Sequence, residues 1–294
     1  MSETVGTISE LSRFPVKSMQ GELLDVAQVT EGGVLGDRAY ALVEVDTGKV
    51  LSGKTPRLGT QLLGCRAAFV ASPRLGDELP PVRITLPAGK SVTSDSHDGD
   101  ATLSKFLGRE VTLQRAAPDD FTIDWYHPDI EDVDPEGRDT VTEMKLGAAL
   151  FAEAGVPSLI PAGSFLDLFP VSVLTTSTLA QFQSFRRESR FDERRFRMNV
   201  VVETGDDGFV ENGWLGRTLE LGGTVRLTVF IPDARCVMTT LAQDDLPQDN
   251  DILRTLAQHN RHDVGDGRLR PCAGVYAIVE ATGTTQQGDR VALA

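Results

Sequence analysis

Short runs of alternating apolar and polar residues, each closed by Gly, Pro or Asp, dominate the chain. The clearest is 225–231. Val225, Leu227, Val229 and Ile231 alternate with Arg226, Thr228 and Phe230, the period of a strand with one buried face. Runs at 66–71, 82–86, 111–114 and 275–280 hold β-branched or aromatic residues between turn residues and predict further strands. Residues 39–45 predict another, ended by the turn Asp46-Thr47-Gly48-Lys49. Helical periodicity is rarer. One helix is expected from near Ser177, capped by Thr176 or Ser177, with Leu179, Phe182 and Phe185 on adjacent turns. A second is expected over 251–260, with Ile252, Leu253 and Leu256 as its apolar stripe, and a short one at Lys105, Phe106 and Leu107, closed by Gly108. The pattern predicts a mainly β fold with some helix, of the α+β class.

A chain of 294 residues makes one large domain or two ordinary ones, and either buries a sizeable core. Hydrophobic residues are 40% and charged residues 24% of the total, which excludes global disorder. No stretch is apolar enough over a bilayer's thickness to predict a membrane span, and residues 1–14 lack the pattern of a secretory signal. The net charge of −14 works against binding to nucleic acid or anionic lipid, except through a local basic pocket. Cys65, Cys236 and Cys272 are too few and too scattered for a disulfide framework, so the expected location is the reducing cytoplasm. Between 119 and 136 stand eight carboxylates and no Lys or Arg. Such a run reads as a solvated linker, although Trp125 and Tyr126 within it also suit packing or contact with a partner. The expected division is therefore 1–118, an acidic linker over 119–140, and 141–294.

The common nucleotide and hydrolase signatures are absent: there is no Gly-x-Gly-x-x-Gly after a strand, no P-loop and no Gly-x-Ser-x-Gly. His259 and His262 read as a solvated helix end rather than zinc ligands. Two features stand out instead. Lys17 follows a short apolar segment and Arg38 and Arg197 stand at strand entries, where in an acidic protein they could line an anion pocket. The hydroxyl-rich helix start at Thr176-Ser177-Thr178 could add backbone donors to it. On charge alone, ordinary surface cations paired with carboxylates are the plainer reading. Cys236 follows Arg235 just past a strand, where a neighbouring cation favours the thiolate, the form that acts as nucleophile or soft-metal ligand. A buried structural cysteine suits the same context.

These residues also carry a resemblance. Phe14-Pro15-Val16-Lys17-Ser18 and Gly36-Asp37-Arg38 resemble the N-terminal β domain associated with MOSC proteins, a family named after the molybdenum cofactor sulfurase C-terminal domain. Phe169-Pro170-Val171 through Ser177, then Arg194 to Asn199, Arg235 to Thr240 and the closing Gly288-Asp289-Arg290-Val291 resemble the MOSC β-barrel itself. Within the family the chain is similar to the amidoxime-reducing component and its bacterial relatives. The resemblance implies a molybdenum cofactor, with Cys236 as the thiolate ligand of a molybdenum held by molybdopterin. It implies Lys17, Ser18, Arg38 and Arg197 around the pterin and its phosphate, and Ser177, Thr178, Asn199 and Arg235 completing that shell. The activity implied is reduction of a small N-hydroxylated substrate by oxygen-atom transfer. Asp167, in Gly163-Ser164-Phe165-Leu166-Asp167, would orient a proton or water near the metal, although a turn carboxylate fits there equally well.

Some bacterial relatives carry a C-terminal iron–sulfur domain. The scattered cysteines here cannot hold such a cluster, so the expected partner is a separate electron-donor protein: a cytochrome, ferredoxin or flavoprotein reductase. The competing expectation is a non-catalytic carrier of cofactor or sulfur on Cys236. Where many relatives have an Asp-Pro-Asp-like turn after Thr239-Thr240, this chain has Leu241-Ala242-Gln243-Asp244-Asp245-Leu246-Pro247, which leaves substrate preference open.

Overall fold

The computed structural model describes residues 2–118, 120–131, 133, 139–265 and 267–294. Its centre is a closed barrel of seven strands. In spatial order these are Val171–Thr175, Val200–Glu203, Glu3–Arg13, Arg290–Leu293, Thr218–Leu221, Val225–Ala234 and Leu269–Ala281, which pairs back onto Val171–Thr175. All neighbours are antiparallel except Val171–Thr175 and Val200–Glu203, which are parallel and joined through the helix Thr176–Phe185. Ile8, Leu11, Val173, Val202, Leu219, Leu227, Val229 and Val275 fill the interior. Each such side chain contributes about 1.5–3 kcal/mol on burial.

The strand Glu3–Arg13 lies between two strands from the far end of the chain. Conversely, Gly283–Gln286 pairs with Val26–Thr30. The two halves of the sequence are therefore interlaced rather than strung in series. Five further N-terminal strands form two small sheets, Tyr40–Glu44 with Val111–Arg115, and Arg66–Phe69 with Val82–Thr85 and Ser91–Thr93. The helices Pro56–Leu63 and Gly99–Leu107 pack with them around Leu42, Leu62, Ile84 and Leu103.

Every strand and helix read from periodicity is present, with shifted ends. The helix near Ser177 is capped one residue earlier than expected: the Thr175 hydroxyl accepts from the Thr178 N–H. The 225–231 strand does not stop at Pro232 but runs on to Ala234. Register shifts between Val229 and Ile231 and between Pro232 and Ala234 take up the proline, which has no N–H to donate. His262 leaves the helix altogether and lies on the strand Arg261–Asp263.

The acidic stretch is only partly what its charge suggested. Thr122–His127 pairs with Thr140–Lys145 in a hairpin, and Phe121, Ile123 and Leu146 pack with Ala41, Val43, Val50 and Phe165. Lys49 neutralises Asp124 and Glu143 on its outer face. Asp119, Asp132, Asp134 and Glu136 lie outside the described residues.

Candidate functional site

The chain after the first strand builds one wall of a cleft. Residues 14–17 zip onto 37–40: Arg38 N–H donates to Phe14 O at 2.8 Å, Tyr40 N–H to Pro15 O at 3.0 Å and Lys17 N–H to Tyr40 O at 2.8 Å. This sets Lys17 and Arg38 side by side. The opposite wall comes from the barrel. Phe165 N–H donates to Arg38 O at 2.9 Å, and Lys17 Nζ returns to Phe165 O at 2.8 Å. Arg197 precedes the strand Val200–Glu203 and donates to Met19 O. Ser18, Arg38 and Arg197 all take left-handed backbone angles, with φ of 65°, 46° and 56°. Non-glycine residues pay on the order of 1–3 kcal/mol each for such strain, and its clustering points to function.

The cleft encloses about 750 Å³ of atom-free space, part of it open to solvent. Lys17, Arg38, Lys54, Arg195, Arg197 and Arg235 line it, against the carboxylates Asp167 and Asp233. Six cations over two anions is a concentrated positive site on a chain of net charge −14. The cations are not equivalent. Arg195 is spent on structure, donating to Thr239 O, Leu241 O and Pro247 O at 3.2, 3.3 and 2.8 Å and so fixing the loop after Cys236. Arg38 pairs with the buried Asp37, and Arg235 with Asp233. Arg197 has no carboxylate partner among the described residues. Burial, then the nearby Arg38, pushes its pKa down to about 9. Arg235 Nε and Asp233 Oδ1 are buried without a hydrogen-bond partner among the described residues.

Asp167 sits between Lys17 and Lys54, its Oδ2 2.8 Å from Lys54 Nζ. Burial acts to raise its pKa, but the two ammonium groups outweigh that and hold it far below the usual carboxylate range. It is therefore an ionised bridge at neutral pH and has no proton to donate. Asp233 is the opposite case. Burial raises it to about 6 although Arg235 works the other way.

Cys236 opens the short turn Val237–Thr240, its carbonyl accepting from Thr239 N–H at 3.2 Å. It is half-buried and faces the cleft, whereas Cys65 and Cys272 are buried elsewhere, where desolvation raises both thiols to about 12. Among the described residues no three His, Cys, Asp or Glu side chains are grouped to hold a metal. A metal at Cys236 would have to bring other ligands with it.

The structure thus brings Lys17, Ser18, Arg38, Asp167, Arg197, Asn199, Arg235 and Cys236 to one cleft. Asn199 stands behind its surface. Its side chain accepts from Ser172 N–H and donates to Asp37 Oδ2 at 3.0 Å, which steadies the partner of Arg38. Ser177 and Thr178 are not in the lining. They are buried around the carboxylate of Glu211, which accepts from the Thr175 and Thr178 hydroxyls at 2.7 Å, while the Ser177 hydroxyl bonds that of Thr175. Their hydroxyls serve the helix start and a buried acid, not the cleft. Lys54, Met238, Asp233 and Tyr276 line the cleft without having been singled out. The Gly53-Lys54 step before a proline-led helix is the nearest thing to a signal for Lys54, and it is weak.

Residues 5–115 match the MOSC N-terminal beta barrel domain and residues 163–292 the MOSC domain. This chain belongs to the MOSC family. The MOSC chain is 25% identical to the mitochondrial amidoxime reducing component 2 of Bos taurus, over 98% of its own length and 83% of that protein's. It is 24% identical to the mitochondrial amidoxime-reducing component 1 of Homo sapiens, over 99% and 84%. A looser likeness, with a TM-score of 0.45 and 10% identity, covers 100% of it and 98% of the YUAD protein from Bacillus subtilis. Among the described residues of this MOSC protein, no helix is long and apolar enough to cross a membrane.

Proposed function

We propose that this protein is a molybdenum-cofactor oxidoreductase of the cytoplasm that reduces small N-hydroxylated compounds, drawing electrons from a separate donor protein. One observation carries the reading: the single cleft-facing thiol, Cys236, shares its cleft with a surplus of buried guanidinium and ammonium groups. A soft thiolate beside an anion cradle suits a metal that arrives on an anionic organic carrier. The names of the relatives, amidoxime reducing components, agree with the activity.

The residues fit the group on three counts of this structure. Among the described residues Arg197 is a buried cation lacking a carboxylate and Arg235 Nε an unused buried donor, and the backbone is strained at Ser18, Arg38 and Arg197. Cys236 would hold the molybdenum, and Lys17, Ser18, Arg38, Arg197 and Arg235 the pterin and its phosphate. The chemistry this cofactor supplies when bound is two-electron removal of oxygen from nitrogen. The chain does the rest. Arg38 and Arg197 present planar donor forks suited to phosphate oxygens. Asp37 and Asn199 fix the Arg38 fork. The Thr239 and Arg195 contacts fix the turn that carries the thiol. Asp167 keeps Lys17 in place as an ionised partner rather than as an acid.

The test is metal analysis of protein made in cells that synthesise molybdopterin, beside Cys236→Ser. Stoichiometric molybdenum in the parent, lost in the variant, with benzamidoxime reduction by a chemical reductant, is the expected result. Metal without turnover would favour a carrier of the cofactor, and no metal in either protein would overturn the molybdenum reading in favour of a sulfur carrier on Cys236.

A further inference from the structure

The two carboxylates of the cleft differ in exposure. Asp233, paired with Arg235, has a side chain 1% exposed, and Asp167, which Lys17 and Lys54 share, one that is 28% exposed. Lys54 lines the cleft beside the more open of the two and is not among the residues assigned to the cofactor.

Lys54 is held more firmly than a surface lysine. Its Nζ lies 2.8 Å from Asp167 Oδ2 and 3.9 Å from the centroid of the Trp125 ring. Its carbonyl accepts from Tyr126 N–H at 3.2 Å, so the hairpin that carries Trp125 also clamps the Lys54 backbone. On the other side, Gly53 N–H donates to the Ser18 hydroxyl at 2.9 Å, and a Cβ at Gly53 would come within 2.8 Å of Met238 Cε. The loop is thus pinned against the turn that follows Cys236. The local charge count leaves a surplus: Lys17 and Lys54 share one carboxylate, Asp167. Of the three ammonium hydrogens on Lys54, one goes to Asp167 and the Trp125 face takes up one side, which leaves a donor for the cleft.

We propose that Lys54 is a specificity-determining cation of the cleft, positioned by Trp125 and Asp167, which selects substrates bearing an anionic group and disfavours cationic ones. This rests on the reading of the cleft as the substrate site, and it adds the substrate class. The ion pair with Asp167 compensates the burial of the Lys54 charge.

The experiment separates this inference from the activity. The oxidised, cofactor-loaded protein is titrated calorimetrically with 4-carboxybenzamide, with benzamide, and with a trimethylammonium-substituted benzamide, none of which has an N–O bond to reduce. The parent should bind the carboxylated compound about tenfold or more tighter than benzamide, the scale of one charge-assisted hydrogen bond, and the cationic compound least. That ratio should collapse in Lys54→Met and return in Lys54→Arg. The matching benzamidoximes should show the same ratios in KM. A parent that binds all three alike, or prefers the cation, overturns the proposal without recourse to any variant. So does a Lys54→Met protein that keeps the parent's ratio. Failure of every benzamidoxime to turn over, with the binding ratios intact, would instead count against the enzymatic reading.

Discussion

Arg38 donates from Nη2 to the backbone carbonyl of Arg197 over 3.2 Å, although 159 residues separate them in sequence. Both guanidinium carbons also stand 4.4 Å from the centroid of one ring, Phe14. A buried and a partly buried cation stacked on one aromatic ring, with only Arg38 paired to a carboxylate among the described residues, are poorly compensated in the absence of an anion.

The first prediction follows from that imbalance. Arg197→Met should raise the unfolding free energy of cofactor-free protein, by about 1–2 kcal/mol, because an under-compensated buried charge is replaced by apolar volume. The same variant should lose molybdenum content. Denaturant unfolding of the apo-protein and metal analysis of the loaded protein check the two halves. Lower apo stability together with full metal content would show that Arg197 is a structural residue.

Thiol chemistry gives a second outcome. In cofactor-free protein at neutral pH, iodoacetamide should label Cys236 and leave Cys65 and Cys272 untouched while the fold persists. Both of the latter are buried, and desolvation raises them to about 12, which removes the thiolate that reacts. Peptide mass spectrometry reads the sites. Cys236→Ser should melt within about 1 kcal/mol of the parent, since a half-buried thiol with no cross-link contributes little.

A third concerns the joint between the two halves. A Cβ at Gly59 would lie 2.4 Å from Gly53 O and 2.4 Å from Leu241 Cδ1. Gly59→Ala should therefore push the helix Pro56–Leu63 away from the Val237–Thr240 turn and disturb Lys54 and Cys236 together. The expected cost is about 1–3 kcal/mol of stability, from overpacking a close contact. Weaker molybdenum retention should accompany it. An unchanged melting temperature would mean that the backbone yields more easily than this packing implies.

Most of the architecture was legible because strand alternation and turn residues are local signals. Val225 to Ile231 announces itself, and Pro232 misled only about the strand's end because a bulge absorbs it. The cleft was legible in a different way. Lys17, Arg38, Arg197 and Cys236 mark themselves by position beside turns and by family resemblance, and the fold then brings them together. Lys54 and Tyr276 gave no such mark: their place depends on a hairpin packing across the N-terminal sheet and on the far side of a barrel strand, both long-range events. Ser177 and Thr178 misdirected for the converse reason. A hydroxyl-rich helix start looks the same in sequence whether it faces an anion or a buried acid. Only the tertiary position of Glu211 decides between them.

Glu211 supplies the last prediction. It is fully buried, and burial raises its pKa even though the Thr178 and Thr175 hydroxyls work in the other direction. The folded state therefore holds its proton more tightly than the unfolded chain, where a glutamate titrates near about 4.3. The sign follows: its contribution to stability is complete below that unfolded value and is lost as pH rises through the folded one. Glu211→Gln keeps the shape of the protonated acid and cannot ionise. Relative to the parent, the variant should gain stability as pH is raised above about 4, levelling off once pH passes the folded-state value. Paired denaturant curves at each pH isolate this residue, because every other titrating group is common to both proteins. A stability difference that stays flat with pH would show that Glu211 is ionised in the folded protein and that its two hydroxyl donors, not its proton, carry the buried charge.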